Sequence, residues 1–297
     1  MALDITDKQI LELELKANKI RQLIITMLTE AKSGHPGGPL GMADIFAALY
    51  FHLAKQDPKN PDWPDRDRIV LSNGHICPVR YAAMALAGFF PIEELMTLRK
   101  INSRLQGHPH RTVLPGVETT SGPLGEGLSQ AIGIALAGQM DQKKYVVYAL
   151  TSDGEHQEGN TWEAAMMAGK YKLSNLIQII DRNYIQIDGS TEKVMPLEPF
   201  KAKYEAFNWA VLDIDGNNMR EIVDAVGEAK AIQDRPVIII ANTVPGKHVS
   251  YMENNYLWHG NPPDLADVKG APPKGEQTKV ALAELKKIEE KLNSMGA

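Results

Sequence analysis

The sequence contains one cysteine, Cys77, among 297 residues. A single thiol cannot form an internal disulfide, so the disulfide-stapled class of small secreted domains is excluded and a reducing compartment is expected. Cys77 is interpreted as a small buried hydrophobic residue, which is more common than a reactive thiol. The sequence also has no apolar run long enough to cross a membrane, and its first residues, MALDITDKQ, are acidic and polar. These absences predict a cytoplasmic protein that makes no contact with membranes.

An excess of positive charge is also missing. Lysine and arginine total 32 against 37 for aspartate and glutamate, which gives a formal net charge of −5. Because no basic surface is indicated, we expect no nucleic-acid partner. Hydrophobic residues make up 43% and charged residues 23%, which is the balance of a globular protein rather than a disordered or fibrous one. The length is sufficient for one large domain or two ordinary ones.

Segments with the spacing of helices and strands alternate along the chain. The first, from Thr6 to about Lys32, has helical spacing and begins with a capping box, in which Gln9 follows Thr6 by three residues. A second helical stretch is predicted near Met42 to His52. Five short and almost continuously apolar segments are predicted strands: RIVL, YVVYAL, NLIQIID, WAVLDID and PVIIIANT. Such strands are buried on both faces, so we predict an α/β fold with a parallel sheet flanked by helices on both faces.

The predicted domain organisation rests on two further segments. PLGEGLSQAIGIALAG is predicted to be a helix whose small residues let another backbone approach closely. From about Asn261 the composition becomes rich in proline and glycine, before a charged helix near Thr278 to Asn293. We therefore predict one domain over residues 1–262, followed by a linker and C-terminal helix over residues 263–297. We expect this last helix to be solvated or to face a partner.

Polar side chains follow two successive predicted strands. In TSDGEHQEGN, Asp153 comes shortly after YVVYAL, and Asn183 comes shortly after NLIQIID. Ligands of open α/β sheets bind beyond the carboxyl ends of the strands, where both side chains would lie. Carboxylate and amide oxygens suit Mg²⁺ or Ca²⁺, which normally also recruits phosphate oxygens. On this stretch alone a helix cap is the more common role for Asp153, so both interpretations stay open.

The run from SDG to DRN resembles the diphosphate-binding motif of thiamine diphosphate enzymes, which begins Gly-Asp-Gly and ends in an Asn after the next strand. Ser152 replaces the first glycine and Arg182 precedes the final Asn, whereas Asp153 and Asn183 are intact. Four histidine segments, SGHPGGPLG, LSNGH, QGHPHR and YLWHG, look like those of transketolase and occur in the same order. TTSGPLGEGLSQAIGIALA is also similar to the Gly-Pro-Leu-Gly-Gln-Gly segment of that family, with Glu126 where Gln is usual.

The resemblance to transketolase covers the chain from Thr6 to about Pro262 and implies an activity. Transketolases are transferases that move a two-carbon ketol unit from a ketose phosphate to an aldose phosphate. The cofactors implied are thiamine diphosphate and a divalent cation, Mg²⁺ or Ca²⁺. By the resemblance, Asp153, Asn183 and the main-chain carbonyl of Ile185 would hold the metal. The other implied cofactor contacts, outside the histidines, are Gly122, Pro123, Leu124, Gly154, Glu158 and Asn183.

The resemblance also implies catalytic roles for His35, His75, His108, His259 and Glu158. His75 and His259 would donate hydrogen bonds to diphosphate oxygens or to neighbouring substrate groups. His35 and His108 would face the sugar, polarising its carbonyl and moving protons from its hydroxyl groups, which suits a group whose pKa lies near neutrality. The other four histidines receive no role from the resemblance.

A full-length transketolase continues into a pyrimidine-binding domain and a C-terminal domain, and nothing after Pro262 resembles either of them. The pyrimidine-binding domain supplies the glutamate that activates the cofactor and the aromatic residues that hold its ring. We therefore expect a separate partner chain that carries both domains, an assembly with two copies of each chain, and activity only in that assembly. Glu158 and Glu163 match acidic positions at the subunit interface of the family. A piece of a longer protein would look the same from its sequence.

Two alternative functions stay open. A related thiamine diphosphate enzyme, such as a dihydroxyacetone synthase or a 2-oxoacid enzyme, would share the diphosphate motif, but four histidines suit a polyhydroxylated donor better than a carboxylate. A non-catalytic chain that binds cofactor or partner is the second alternative. The intact Asp153, Asn183 and histidine set argue against it.

Overall fold

The structure is a computed structural model that describes residues 5–296. Its central strands are β1 (Arg68–Leu71), β2 (Val147–Ser152), β3 (Leu176–Arg182), β6 (Ala210–Asp215) and β7 (Val237–Asn242). They form a parallel sheet in the order β1-β2-β3-β7-β6. A separate antiparallel hairpin consists of β4 (Ile185–Gln186) and β5 (Gly189–Ser190). All five strands predicted from the sequence are therefore present, and their carboxyl ends share one edge.

Helices join the strands. They are α1 (Asp7–Ala31), α2 (Gly37–Gly41), α3 (Ala43–Ala48), α4 (Cys77–Ala87), α5 (Glu126–Met140), α6 (Gly159–Tyr171), α7 (Thr191–Val194), α8 (Phe200–Ala206), α9 (Met219–Ala231) and α10 (Gln277–Met295). A π-helical turn over Leu49–Leu53 extends α3. Across residues 5–296, none of these helices combines the length and the apolar character that a membrane span requires.

The sheet has a hydrophobic cluster on each face because successive side chains of a strand point to opposite sides. Ile177 and Ile179 of β3 belong to the cluster that includes α1, α3, α4 and α9. Leu176 and Ile180 of the same strand belong to the cluster that includes α5, α6 and α8. Helices thus cover both faces of the sheet, as predicted, and β2, β3 and β7 are buried at nearly every position. The prediction of full burial is wrong for the edge strand β6, in which Asp213 and Asp215 are exposed and no residue is buried.

The first and last helices of the described residues pack against each other. Helix α1 begins with the predicted capping box, in which the main-chain N–H of Gln9 donates to Thr6 and that of Thr6 donates to Gln9. Helix α10 lies against α1, where Asn18 donates a hydrogen bond of 3.0 Å to the carbonyl of Leu285. Ala281 and Leu285 are fully buried in the same cluster as α1. The expectation of a solvated or partner-facing tail helix is therefore wrong, since its apolar face is covered within the chain.

Helix α4 was not predicted from the sequence, where a loop was expected after β1. Its residues from Cys77 to Ala85 are all buried, so the segment CPVRYAAMALA lacks the alternation of apolar and polar faces by which a surface helix is recognised. Cys77 is fully buried as predicted, and burial raises the pKa of its thiol to about 12. The thiol is therefore protonated and inert at neutral pH.

Candidate active site

The carboxyl ends of β1, β2 and β3 border a cavity of about 470 Å³. Its walls contain most of the residues singled out from the sequence: His35, His75, His108, Gly122, Leu124, Gly154, Glu158, Asn183, Ile185 and His259. The parallel sheet brings these residues together because its strands end at one edge. Two predicted residues do not line the cavity, since Asp153 is fully buried beside it and Pro123 is exposed to solvent.

Asp153 follows β2 and caps the 3₁₀ helix over Gly154–Gln157. Its Oδ1 atom accepts a hydrogen bond of 2.7 Å from the main-chain N–H of Gly154, and its Oδ2 atom accepts one of 2.7 Å from that of Tyr184. Burial raises the pKa of Asp153 to about 6, although the Arg182 guanidinium acts in the opposite direction. The carboxylate thus fixes the turn that presents Gly154 to the cavity.

A second buried acid, Asp181, supports Asn183 and was not singled out from the sequence. Its Oδ2 atom accepts a hydrogen bond of 2.8 Å from Nδ2 of Asn183, and its Oδ1 atom accepts one from the hydroxyl of Thr243. Burial, with the charge of Asp153 as a smaller cause, raises the pKa of Asp181 to about 7. Asn183 is thereby held with its Oδ1 atom accepting from the N–H of Ile185 at 3.0 Å. An acid at the end of the apolar run NLIQIID was the available signal, but its partners include a residue that follows the neighbouring strand β7.

Three of the four predicted histidines form a triangle. The ring centroids are 5.0 Å apart for His35 and His75, 5.4 Å apart for His35 and His259, and 5.2 Å apart for His75 and His259. Burial lowers the pKa of His35 to about 4 and lowers those of His75 and His259 as well. All three imidazoles are therefore neutral at pH 7, and each can donate a hydrogen bond from one ring nitrogen and accept one at the other.

His108 lies at the mouth of this cavity. Its side chain is more exposed than those of the triangle, and partial burial together with the Arg99 guanidinium lowers its pKa. Gly122 lies beside it with a φ of 145°, a conformation that favours glycine. A Cβ atom at Gly122 would lie 3.7 Å from Cγ of His108, so the position also keeps the space next to the imidazole open.

Glu155 is a buried wall residue that was missed from the sequence. It is 1% exposed, and its carboxylate accepts hydrogen bonds from the hydroxyl of Ser72, from the N–H of Gly125 at 2.7 Å and from the N–H of Ser152 at 3.1 Å. Burial raises its pKa despite these donors. Glu155 therefore joins the segments that follow β1, precede α5 and end β2. Its position directly after Gly154 in the diphosphate motif was the only sequence signal.

The two acids expected at an interface are both exposed, Glu158 at the N-cap of α6 and Glu163 on that helix. Glu158 also reaches the cavity wall.

His156, close to these acids in sequence, is fully buried. Its Nδ1 atom lies 2.6 Å from the carbonyl oxygen of Ser152, and its Nε2 atom lies 2.7 Å from the hydroxyl of Tyr204. It supports the end of β2 from behind and does not line the cavity.

A larger cavity, of about 620 Å³, lies at the opposite, amino edge of the sheet. It is lined by lysines and amides, including Lys55, Lys143, Lys144 and Lys230, and by none of the residues predicted from the sequence. The cavity at the carboxyl edge is smaller, but it combines the histidine triangle with Asn183, Gly154 and Glu155. We therefore assign the candidate active site to the carboxyl edge.

The residues around this site suit a diphosphate and a divalent cation. The Nδ1 atoms of His35 and His259 are buried and have no hydrogen-bond partner among residues 5–296, so ligand oxygens or hydroxyl groups can satisfy them. No three His, Cys, Asp or Glu side chains in the described chain converge on a possible metal position. The predicted metal ligands are of a different kind, since Asp153, Asn183 and Ile185 would contribute one carboxylate, one amide oxygen and one main-chain carbonyl. The remaining coordination positions of the cation are left for phosphate oxygens.

A family model described as transketolase, thiamine diphosphate binding domain, matches residues 13–275. The chain belongs to the transketolase family. It is 46% identical over 252 residues to the SqwG subunit of the 6-deoxy-6-sulfo-D-fructose transketolase of Clostridium sp. (strain MSTE9), a match that covers 85% of this chain and 92% of that protein. It is 41% identical to one of the subunits of the apulose-4-phosphate transketolase of Phocaeicola vulgatus, covering 86% of this chain and 90% of that protein.

Solved transketolase structures have the same fold. The crystal structure of transketolase from Campylobacter jejuni matches with a TM-score of 0.81 and 34% identity, covering 98% of this chain and 48% of that one. The chain thus spans less than half the length of the solved transketolase, but nearly the whole length of the two related subunits. The family resemblance and the α/β fold predicted from the sequence are confirmed, and the chain is the N-terminal, thiamine diphosphate-binding part of a transketolase.

Proposed function

We propose that this chain binds thiamine diphosphate and a divalent cation, Mg²⁺ or Ca²⁺, and that it transfers a two-carbon ketol unit from a ketose phosphate to an aldose phosphate only when assembled with a partner chain. The observation that carries the proposal is the meeting of His35, His75 and His259 with Asn183 and Gly154 around one cavity. A purely structural role would not explain why three neutral imidazoles lie together beside the residues of the diphosphate motif.

The metal and the diphosphate would be held by the ends of two strands. Asp153 and Asn183 would ligate the cation, with the main-chain carbonyl of Ile185 as a third ligand. The space that a Cβ atom of residue 154 would fill has no protein atom closer than 3.5 Å and is open to the cavity. Because glycine leaves this space empty, a diphosphate oxygen could come close to the backbone there. Gly122, Pro123 and Leu124 would contact the rest of the cofactor.

Thiamine diphosphate, when bound, supplies the electron sink that ketol transfer requires. The histidines do different work at its edge. His75 and His259 would donate hydrogen bonds to the diphosphate or to neighbouring substrate groups. His35 and His108 would accept protons from sugar hydroxyl groups and return them, which neutral imidazoles can do because they carry both a donor and an acceptor.

The partner would dock on the surface formed by α5, α6 and the turn that leads into α5. Large apolar side chains are exposed there: Leu124 (37%), Met140 (77%), Met166 (57%), Met167 (42%) and Tyr171 (44%). Gly133 of α5 and Gly159 of α6 have open space where a Cβ atom would lie, which permits close approach of another backbone. Glu158 at the start of α6 and Glu163 within it would face the partner, with Glu158 in a proton relay. We propose in addition that the assembly contains two copies of each chain and that it is cytoplasmic.

The test is reconstitution. The purified chain is assayed alone and with an equimolar partner chain that carries a pyrimidine-binding and a C-terminal domain, with Mg²⁺ and thiamine diphosphate present. Donors include ketose phosphates and a sulfonated ketose, since two relatives are named for such different sugars, and a 2-oxoacid serves as the control donor. We expect ketol transfer only in the mixture and tighter cofactor binding there, because the two binding events are coupled. Full turnover by the chain alone, with contaminating transketolase excluded by mass spectrometry, would refute the proposal.

A further inference from the structure

Arg182 occupies an unusual place beside the proposed metal site. Its side chain is 1% exposed, and its Nη1 atom donates to Oδ2 of Asp153 at 3.2 Å and to the hydroxyl of Thr191 at 3.2 Å. Its Nη2 atom donates to Glu192 at 2.8 Å and to Glu198 at 2.9 Å. The guanidinium is thus shared between a proposed metal ligand and two glutamates that are 34% and 57% exposed. It does not belong to the cavity wall.

The hydrogen bond from Arg182 determines which oxygen of Asp153 can still accept a cation. Oδ2 receives two hydrogen bonds, from Arg182 and from the N–H of Tyr184, whereas Oδ1 receives one, from the N–H of Gly154. An ionised carboxylate offers about two acceptor positions on each oxygen, so Oδ1 retains the capacity to bind a cation. A divalent cation on Asp153 would then share one carboxylate with a permanent positive charge.

The two charges repel each other in a place where water cannot screen them. Arg182 stays protonated at any pH of interest, and its burial with Asp153 keeps the effective dielectric constant below that of water. Because the metal ion carries two charges, the repulsion is twice that between two monovalent ions at the same separation. Glu192 and Glu198 offset this repulsion, since they neutralise the guanidinium through Nη2, the nitrogen that does not bind Asp153.

We propose that Arg182 is a built-in competitor for the divalent cation at Asp153, and that Glu192 and Glu198 set how strongly it competes. The inference rests on the proposed function, because it assumes that Asp153 is a metal ligand. It ties the metal affinity of the site to the segment 184–199, on which both glutamates lie. When the cation binds Oδ1 of Asp153, Arg182 stays on Oδ2, so the competition is between two positive charges that share one carboxylate.

The experiment compares cation affinity among variants of the full chain, with saturating thiamine diphosphate, by calorimetric titration with Mg²⁺ and with Ca²⁺ at pH 8.5. We expect Arg182→Met to bind the cation about tenfold more tightly than the wild type, because the repulsion is removed and the stem volume is kept. Arg182→Lys keeps the charge but not the forked set of donors, so its cation affinity should lie between those of the wild type and Arg182→Met. The double variant Glu192→Gln/Glu198→Gln should bind several-fold more weakly.

Two controls complete the design. Arg235→Met changes the net charge by the same amount at an exposed ion pair with Asp234, before β7 at the other end of the sheet, so its cation affinity should equal that of the wild type. Asp153→Asn should abolish cation binding. Combining Arg182→Met with the two glutamate changes tests the coupling, since the cost of the glutamate changes should shrink once the arginine is absent. Circular dichroism and Tm without metal establish that each variant folds.

The outcomes separate this inference from the proposed function. Opposite effects of Arg182→Met and the glutamate variant, with Arg235→Met unchanged, support competition, because a merely structural arginine would weaken binding when removed. Binding that depends on Asp153 but is unchanged or weakened in Arg182→Met would overturn the inference and leave the metal site standing. Should Arg182→Met not fold, unchanged affinity in the glutamate variant would overturn it instead. Binding that Asp153→Asn does not alter would refute the metal site and the inference together.

Discussion

The Oε1 atom of Glu155 accepts a hydrogen bond of 2.7 Å from the main-chain N–H of Gly125, so a carboxylate buried after β2 fixes the turn that begins α5. Gly125 has a φ of 84°, which places this turn in a conformation that favours glycine. The residues proposed to lie against the cofactor, Gly122 to Leu124, directly precede it. The shape of this wall is therefore set by a residue that was missed from the sequence.

Replacing Glu155 by Gln should destabilise the chain and weaken its cofactor binding. A neutral amide has one acceptor oxygen, and its NH₂ group would face the N–H of Gly125 or of Ser152. One buried donor then loses its partner, at a cost of about 1–3 kcal/mol. Urea unfolding measures the stability, and fluorescence titration measures thiamine diphosphate affinity. Glu205→Gln, at an exposed position on α8, is the matched control, and equal behaviour of the two variants would contradict this role of Glu155.

The four histidines should separate into two pairs when each is replaced by Ala in the reconstituted enzyme. His35→Ala and His108→Ala should reduce ketol transfer more than cofactor affinity, whereas His75→Ala and His259→Ala should weaken both. Each loss removes a hydrogen bond to a charged or reacting group, worth about 1.5–3 kcal/mol, or roughly tenfold to a hundredfold in the affected step. Steady-state kinetics and cofactor titration provide the two readouts. Four variants close to the wild type in both would leave these histidines as structural residues.

The stability of the chain should fall between pH 6.5 and pH 4, in part because of His156. Burial lowers the pKa of His156 to about 4, whereas an unfolded histidine has a pKa of about 6.5. The unfolded state therefore binds more protons in this window, and the free energy of unfolding decreases as the pH falls, by about 3 kcal/mol for this residue when complete. His156→Gln cannot be protonated, so its unfolding free energy should change less between pH 7 and pH 4.5. Identical changes in variant and wild type, measured by urea unfolding, would exclude His156 as a source.

Replacing Met166 by Glu should prevent assembly with the partner chain and leave the fold of the chain intact. The side chain is 57% exposed on α6, so the free chain can solvate a carboxylate there, but an interface that covers it cannot do so without a large desolvation cost. Sedimentation velocity of the mixture and the Tm of the chain alone are the measurements. Ile101→Glu is the control, because Ile101 is 93% exposed and belongs to neither α5 nor α6. Wild-type assembly by Met166→Glu would place the interface elsewhere.

Much of the site was predictable because its signals are local in the sequence. Apolar residues at nearly every position of a short segment predict a strand that is buried on both faces, and the residue after such a strand lies at the edge of the sheet. Asn183 and the four histidines were found in this way and through the family motifs. The capping box of Thr6 and Gln9 is also local, since both residues lie within one turn of the start of α1.

The remaining features depend on contacts between residues that are distant in the sequence. Nothing local indicates that Arg182 pairs with Asp153, or that Leu285 of α10 packs on α1. Helix α4 gave no amphipathic pattern because it is buried along most of its length. The sequence by itself determined the strands, the edge of the sheet that carries the site and the residue types available there. Only the tertiary structure decided which charges share a buried carboxylate and which surface stays uncovered, because both depend on burial and on side chains brought together across the fold.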